Sequence, residues 1–388
     1  MLLTAARVLT PVRHLAPGWV RVDGDRIVGL GSGEPPAVPD LTFDDATVVP
    51  GYVDAHAHGG GGAAFGGGAA AAETVVRAHL AHGTTTMMAS LVTDAPEPLA
   101  AAVAELAVLA EDGTVAGIHL EGPWLSPLHK GAHDPGLLTE PTSDQVERLV
   151  AAAAGHLRMV TLAPELPGSL EAIGRLTGHG VVVAVGHTDA TYDVVMAAVD
   201  AGATVGTHLF NAMRPLHHRE PGPIVALLES PGVRVELVAD GVHVHPAALR
   251  MAAAAKPRDF VLVTDAMAAA ASGDGDYRLG ALAVQVRNGV ARLADSGAIA
   301  GSTLTMAAAV KFAVRSAGLP LTDVIRAATS GPASMLGLDG KVGTLRVGQA
   351  ADLLVLDGHL DVQRVMRHGI WIEQQHSPDL QGRPTIAS

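Results

Sequence analysis

The stretch Tyr52-Val53-Asp54-Ala55-His56-Ala57-His58 opens the repeating pattern that decides the fold. From here, strand-length apolar runs alternate with Ala-rich segments of helical length, as parallel strands do when helices connect them. The runs with strand character are 52–58, 83–89, 115–121, 157–163, 181–187, 204–209, 233–239 and 260–265. Eight strands with helical crossovers predict an α/β fold of the (β/α)8 TIM-barrel type rather than an open sheet.

Short strands joined by turns occupy both ends of the chain. Runs at 2–10, 19–22, 26–30 and 47–49 precede the barrel, and runs at 344–347, 352–357 and 362–372 follow it. Neither group alone has enough apolar side chains for a stable core, so we expect the two groups to pair. The predicted organisation is a small β-sandwich domain from residues 1–50 and 342–388, and a barrel domain from residues 51–341.

The composition excludes several classes of protein. Lys and Arg total 26 against 39 Asp and Glu, a net charge of −13 that argues against nucleic acid or an anionic membrane as a general partner. The sequence has no Cys, so any metal must be held by His, Asp or Glu, and 19 His are present. The sequence shows neither a signal-peptide pattern nor an apolar run of the roughly 20 residues that a membrane span needs. We therefore expect a cytoplasmic protein.

Metal-type side chains fall at the ends of the predicted barrel strands. His56 and His58 are two positions apart, so on a strand they point to the same side and can share one cation. Further candidates end the third, fifth, sixth and eighth strands: Glu121, His187, His208 and Asp265. Each of them alone fits an ordinary hydrogen-bonded strand end. Because barrel enzymes build their sites at this end, the set predicts a metal centre.

A metal centre of this kind suits hydrolysis. A bound Zn²⁺ or similar ion lowers the pKa of its water from about 15.7 to about 7. Asp265, next to that water, can take its proton and pass it to a leaving nitrogen, which is worth roughly 10²–10⁴-fold in rate. We expect this catalytic role for Asp265 rather than a purely structural one.

Several motifs resemble those of the amidohydrolase superfamily. The run Pro50-Gly51-Tyr52-Val53-Asp54-Ala55-His56-Ala57-His58-Gly59 is similar to its opening motif, and Ala351-Asp352-Leu353-Leu354-Val355-Leu356 to its return into the small β-domain. Within the superfamily, the chain resembles the N-acetylglucosamine-6-phosphate deacetylase family over almost its whole length. The motifs include His119-Leu120-Glu121-Gly122-Pro123-Trp124, Thr207-His208-Leu209-Phe210-Asn211-Ala212-Met213 and Thr264-Asp265-Ala266-Met267.

The resemblance implies a role for each matched position. Glu121, His187 and His208 would hold the principal metal ion, whereas His56 and His58 would hold a second one. Asp265 would be the general acid and base. The substrate would be bound by His133, Asn211, the backbone at Ala212, Arg219 and His243, with either His133 or His243 polarising the acetyl carbonyl. The family implies one or two divalent ions per subunit, with zinc expected and iron, manganese, cobalt or cadmium as alternatives.

The activity implied by the resemblance is hydrolysis of N-acetyl-D-glucosamine 6-phosphate to D-glucosamine 6-phosphate and acetate. It also implies a homodimer in which Arg219 reaches the phosphate of the partner subunit's substrate. Another N-acetylhexosamine phosphate, such as N-acetylgalactosamine 6-phosphate, is an alternative substrate. The two sugars differ in the orientation of one hydroxyl, and the geometry of the loops around it decides which sugar is bound.

Two other functions compete with this one. A cyclic-amide amidohydrolase commonly carries a carboxylated lysine at the end of the fourth strand, and residues 157–163 contain no Lys. A non-catalytic metal-binding scaffold would have no use for Asp265 together with an anion site.

Two segments near the predicted site have no assigned role. The Gly-rich stretch 59–68 lacks the Gly-Lys-Ser/Thr ending of a phosphate-binding P-loop, so we expect a mobile loop there. Met306 lies near the start of a predicted helix at 305–317, where it could either line an acetyl pocket or pack in the core.

Overall fold

Parallel strands form a closed barrel in the part of the chain that the computed structural model describes, residues 1–10 and 13–373. In chain order the barrel strands are Tyr52–Asp54, Thr84–Met87 continued by Ala89–Val92, Ile118–Glu121, Leu157–Leu162, Val182–Val185, Val205–Gly206, Arg234–Val238 and Phe260–Val263. The first strand closes the ring by bonding to both neighbours. The N–H of Met88 donates to the carbonyl of Asp54, and the N–H of Asp265 donates to that of His56, both at 2.9 Å. The predicted TIM barrel is confirmed.

Helices follow the barrel strands and pack against them. They are Ala69–Ala81, Pro96–Glu111, Ser143–Ala152, Ser169–Gly178, Tyr192–Asp200, Gly222–Glu229, Pro246–Ala255 and Met306–Arg315, followed by Leu321–Ala327 and Ser330–Met335. Several begin at a threonine whose hydroxyl accepts a hydrogen bond from the first turn, as Thr305 does from the N–H of Ala308. Buried Val, Leu and Ala from strands and helices form one continuous core. Met306 belongs to this core, so of its two predicted roles packing is the correct one.

Both ends of the chain contribute to a second sheet. Its strands are Leu2–Leu9, His14–Leu15, Gly18–Asp23, Arg26–Ser32, Leu41–Pro50, Leu353–Leu356, Val362–Arg367 and Ile370–Trp371. The pairing of Leu41–Pro50 with Leu353–Leu356 joins the two ends, as expected. Strands near opposite edges of this sheet contribute to one apolar cluster, which contains Ile27 from one edge and Met366 from the other. The sheet therefore curls around its own core. The exact domain limits remain a prediction, because residues 374–388 lie outside the described part.

Two details of this sheet differ from the prediction. Residues 344–347 do not form a strand, since Gly343 and Gly348 on either side adopt left-handed backbone angles, with φ of 77° and 91°. The single strand predicted at 362–372 is a hairpin. Its turn lies at His368-Gly369, where both residues have positive φ, 50° and 76°, as a two-residue hairpin turn requires.

Two elements that the sequence did not predict lie at the C-terminal end of the barrel. A three-stranded antiparallel sheet, Gly275–Leu279, Leu282–Arg287 and Val290–Leu293, is inserted after the last barrel strand. The stretch predicted as a mobile loop instead forms a small hairpin, Gly59–Gly60 with Ala63–Ala64. Backbone hydrogen bonds from Gly61 to Ala270 and from Gly62 to Ala268 hold this hairpin in place.

Among the described residues, every helix is too short or too polar to cross a lipid bilayer.

Candidate active site

The first and last barrel strands meet at a buried carboxylate below the site. Asp54 accepts hydrogen bonds from the backbone N–H of Thr264 at 3.2 Å and from its hydroxyl at 2.6 Å. Burial raises the pKa of Asp54 to about 6, although these hydrogen bonds act in the opposite direction. This contact fixes the starting points of the segments that carry His56 and Asp265.

Glu121 lies at the centre of the predicted ligands. Its Oε1 is 3.1 Å from Nε2 of His187 and 3.0 Å from Nε2 of His208. Its Oε2 is 3.2 Å from Nε2 of His58 and 3.3 Å from Nε2 of His133. Burial raises the pKa of Glu121, but the surrounding imidazoles outweigh this effect and hold the pKa well below its usual range. The ionised carboxylate therefore lies between the imidazole of His58 and those of His187 and His208, and it can bridge two ions.

The second group of candidate ligands comprises His56, His58 and Asp265, whereas Glu121, His187 and His208 form the first. The Nε2 atoms of the two imidazoles are 3.1 Å apart. Oδ1 of Asp265 lies 3.6 Å from the first and 3.4 Å from the second. All three side chains are buried, and their ligand atoms are close enough to share one ion.

In these imidazoles Nδ1 faces away from the cluster and Nε2 faces into it. The hydrogen-bond partner of Nδ1 determines whether Nε2 has a lone pair available for a metal ion. Nδ1 of His58 faces the carbonyl of Ser90 at 3.2 Å, and Nδ1 of His187 faces that of His129 at 2.9 Å. A carbonyl oxygen only accepts, so Nδ1 carries the hydrogen and the neutral ring directs the Nε2 lone pair inward. A metal ion requires this arrangement of its ligands, and nitrogen with oxygen donors suits zinc and similar divalent ions.

The electrostatics of the site favour added positive charge. Burial lowers the pKa of His56 and His58, but nearby carboxylates outweigh it and raise these pKa values to about 9 and about 10. Burial likewise raises the pKa of Asp265, and His58 and His56 outweigh it to bring the value to about 2. The carboxylates thus keep His56 and His58 protonated, and a bound cation could take the place of these protons. The donor set fits a divalent metal centre.

Three of the predicted residues have unusual backbone angles. His187, His208 and Asp265 adopt positive φ values of 48°, 28° and 49°. This region is sparsely populated by residues other than Gly, and such strain gathers at functional sites. Here it lets residues at the ends of three different strands turn their side chains toward one point.

A cavity of about 390 Å³ opens above the cluster. Its walls include the predicted substrate residues His133, Asn211, Ala212 and His243. Predicted metal ligands also line it, whereas other wall residues were not predicted from the sequence, among them Leu128, His129, Leu279 and Ile299. A larger cavity of about 620 Å³, lined by Leu9, Pro50, Arg258 and others, contains none of the predicted site residues.

The predicted substrate residues differ in how they are held. Nδ1 of His133 lies 2.9 Å from the hydroxyl of Thr93, and burial lowers the pKa of this imidazole to about 4, which keeps it neutral. Nδ1 of His243 lies 2.6 Å from Oδ2 of Asp240. The side-chain amide of Asn211 donates to the carbonyl of His208 at 3.1 Å.

Arg219 is not brought to this cavity within its own chain. It lies on an exposed loop, where Nη1 is 2.7 Å from Nε2 of His218. The residues that line the cavity include no Arg or Lys in the described part of the chain. No Arg or Lys of the described chain therefore supplies a positive charge to the wall of this cavity.

A buried carboxylate that contacts the cluster was not predicted from the sequence. Glu236, in the strand Arg234–Val238, places Oε2 3.1 Å from Nδ1 of His56. The available signal was a single acidic residue among the buried apolar residues Val235, Leu237 and Val238. His119, which the sequence analysis did not assign to the metal, instead contacts the hydroxyls of Ser90 and Thr161, each at 2.9 Å.

Comparison with known proteins gives consistent matches. A model of the amidohydrolase family matches residues 47–382. The structure superimposes on an N-acetyl-D-glucosamine-6-phosphate deacetylase mutant from Mycobacterium smegmatis, solved in complex with N-acetyl-D-glucosamine-6-phosphate. That match has a TM-score of 0.94 and 51% identity and covers 96% of this chain and 98% of the other.

Two curated relatives have similar names but different sugars. An N-acetylgalactosamine-6-phosphate deacetylase of Escherichia coli O157:H7 is 38% identical over 96% of this chain and 98% of its own. The N-acetylglucosamine-6-phosphate deacetylase of Homo sapiens is 39% identical over 84% of this chain and 83% of its own.

Proposed function

Because the chain belongs to the amidohydrolase family, we propose that it hydrolyses N-acetyl-D-glucosamine 6-phosphate to D-glucosamine 6-phosphate and acetate. One observation carries this proposal: the solved relative at 51% identity holds that sugar phosphate, and the match covers 96% of this chain. The cluster around Glu121 and the cavity above it provide the matching chemistry, since carboxylates and imidazoles converge where an amide could enter.

The metal requirement follows from the family and the donor set. Glu121, His187 and His208 would hold the principal ion, and His56 and His58 a second one, with zinc as the expected metal. When bound, the metal supplies Lewis acidity that lowers the pKa of a coordinated water to about 7. The protein contributes preformed ligands, because strand ends rather than long loops carry them.

Asp265 is the proposed general acid and base. His58 and His56 hold the pKa of its buried carboxylate low, so Asp265 is ionised at neutral pH and has a free oxygen lone pair for a proton of the attacking water. It then delivers this proton to the leaving amide nitrogen. The same residue serves both steps because it stays beside the reacting atoms throughout.

His133 is the proposed donor to the acetyl carbonyl. The backbone N–H of Thr93 donates to Nδ1 of His133 at 3.4 Å, so Nε2 carries the hydrogen and points toward Glu121 and the cavity. A neutral N–H donor at this depth can stabilise negative charge that develops on the carbonyl oxygen. His243, held by Asp240 farther along the cavity wall, is proposed to contact the sugar instead.

The phosphate is proposed to bind at Asn211, the backbone of Ala212 and an arginine from a second subunit. Arg219 is exposed and its own cavity has no cation from Arg or Lys among the described lining residues, which supports a homodimer that exchanges this side chain. A guanidinium can hold a phosphomonoester with two parallel hydrogen bonds. Because such a charged sugar does not cross a bilayer unaided, we place the activity in the cytoplasm.

N-acetylgalactosamine 6-phosphate is the second candidate substrate. The relative from Escherichia coli that carries this name matches nearly the full length of both chains. A cyclic amide is less well supported, because the fourth strand, Leu157–Leu162, has no lysine to carboxylate. A non-catalytic scaffold would leave Asp265 without a role.

An acetate-release assay tests these alternatives together. The purified protein is given N-acetylglucosamine and N-acetylgalactosamine, each with and without a 6-phosphate. A cyclic amide such as dihydrouracil releases no acetate, so its ring opening is followed separately by the loss of its ultraviolet absorbance. We expect the highest kcat/KM with N-acetylglucosamine 6-phosphate. A higher value with the galacto isomer would reassign the sugar, and inertness of the metal-loaded protein toward all acetamido sugars would overturn the proposal.

A further inference from the structure

Glu236 is a fully buried carboxylate that contacts the imidazole of His56 and the backbone of His208. It lies in the strand Arg234–Val238, flanked by the buried side chains of Val235 and Leu237. Its Oε2 is 3.1 Å from Nδ1 of His56 and accepts the backbone N–H of His208 at 3.2 Å. Its Oε1 has no hydrogen-bond partner among the described residues.

A buried carboxylate is costly unless hydrogen bonds or charges compensate for the lost water. In the described part of the chain, the one ion-pair partner of Glu236 is the imidazole of His56. An apolar side chain would fill this place in the core without that cost. The contact with His56 therefore points to a role beyond packing.

The hydrogen bond fixes which nitrogen of His56 faces the site. A carboxylate oxygen accepts, so Nδ1 of His56 keeps its hydrogen. Nε2, which faces His58 and Asp265, is then the nitrogen whose lone pair is available to a metal ion that replaces its proton. Carboxylates in this position commonly orient metal-binding imidazoles and make them better ligands.

The other imidazoles are oriented differently. Backbone carbonyls, of Ser90 and His129, face the outer nitrogens of His58 and His187. Among the predicted imidazole ligands in the described chain, His56 alone has a carboxylate at its outer nitrogen, Nδ1. The effect of Glu236 should therefore fall on the ion at His56 and His58.

We propose that Glu236 is a positioning residue that holds His56 in the tautomer and orientation needed to bind the second metal ion. Through its contact with the backbone of His208, it also fixes the distance between the two groups of ligands. This inference rests on the proposed metal-dependent function and extends it to a residue that does not touch the metal or the substrate.

Metal content tests the inference independently of activity. Wild-type protein, Glu236→Gln and Glu236→Ala are loaded with Zn²⁺, dialysed against graded concentrations of a chelator, and analysed for zinc per chain. We expect two ions in the wild type and one in each variant at moderate chelator, with the second ion bound about 10–100-fold more weakly. Glu165→Gln is the matched control, because Glu165 accepts hydrogen bonds from Thr188 and Asp189 but does not contact an imidazole of the cluster.

The melting temperature of the metal-free proteins separates positioning from folding. A structural role would lower the melting temperature of the metal-free variants and weaken both ions together. Unchanged affinity for the second ion in both variants, or a wild type that holds a single ion, would overturn the inference. A wild type that binds no ion would instead overturn the proposed function.

Discussion

The carboxylate of Asp265 lies 3.4 Å from Nε2 of His58, at the point where the last barrel strand meets the first. The backbone holds this pair on both sides, since Asp265 donates to the carbonyl of His56 at 2.9 Å and His58 donates to that of Ala266 at 2.8 Å. The hydrogen bonds that close the barrel thus also place the proposed base beside the proposed ligands. The spacing of these groups is therefore set by the sheet rather than by a loop.

Replacing Asp265 by Asn should remove proton transfer and leave substrate binding in place. The amide has nearly the same shape but cannot accept a proton, so kcat should fall roughly 10²–10⁴-fold. The dissociation constant for the substrate should change only a few-fold. Stopped-assay kcat and calorimetric binding give the two quantities, and zinc content is measured in parallel because Asp265 contacts His58. Near-normal turnover in a fully loaded variant would remove Asp265 from the mechanism.

Replacing Arg219 by Ala should affect the phosphorylated substrate selectively. Loss of a charge-assisted hydrogen-bond pair, worth about 1.5–3 kcal/mol, should raise KM for N-acetylglucosamine 6-phosphate about 10–100-fold. The unphosphorylated sugar serves as the internal reference. Arg258→Ala is the matched control, since it removes the same charge from an exposed position at the other cavity. An equal loss on both sugars would refute the phosphate role of Arg219.

The burial of His79 should make the free energy of unfolding decrease as the pH falls below neutral. Its Nε2 donates to the carbonyl of Gly59 at 2.9 Å, and burial lowers the pKa of this imidazole from 6.5 to about 4. The unfolded chain therefore binds a proton that the folded chain excludes. The stabilising contribution is full above pH 6.5 and falls as the pH drops toward 4, by about 3 kcal/mol in total.

The variant His79→Gln tests this contribution, because its amide can still donate to Gly59 but does not titrate. The difference in unfolding free energy between wild type and variant, both metal-free, is measured by urea titration from pH 7 to 4. His82, whose pKa burial also lowers, is present in both proteins and largely cancels in the difference. A difference independent of pH would show that His79 does not exclude a proton in the folded state.

The strand ends were predictable because of their spacing. His56 and His58 share a side of one strand, and Glu121, His187, His208 and Asp265 each end a later strand of the alternating pattern. Parallel strands place such residues at one end of a barrel, regardless of the conformation of the loops that follow the strands. The structure brings these side chains together, and the roles assigned to them remain to be tested by the variants above.

Features that depend on long-range contacts were not predictable. Glu236 lies in the middle of a strand, and its importance appears only when the barrel brings it against His56. The inserted sheet that contributes Leu279 to the cavity wall gives no signal that it belongs to the site. The stretch 59–68 looked mobile because glycine is permissive, whereas contacts with Ala268 and Ala270 fix it as a hairpin.

We propose that the carboxylate of Glu121 and the surrounding imidazoles bind the metal ion on which the hydrolysis depends. Zinc content and acetate release are measured on the same samples while a chelator removes the metal stepwise and Zn²⁺ is then returned. Acetate release from N-acetylglucosamine 6-phosphate should fall with the metal content and recover when the metal is restored. Full activity in protein shown to be free of metal would rule out this role of the metal.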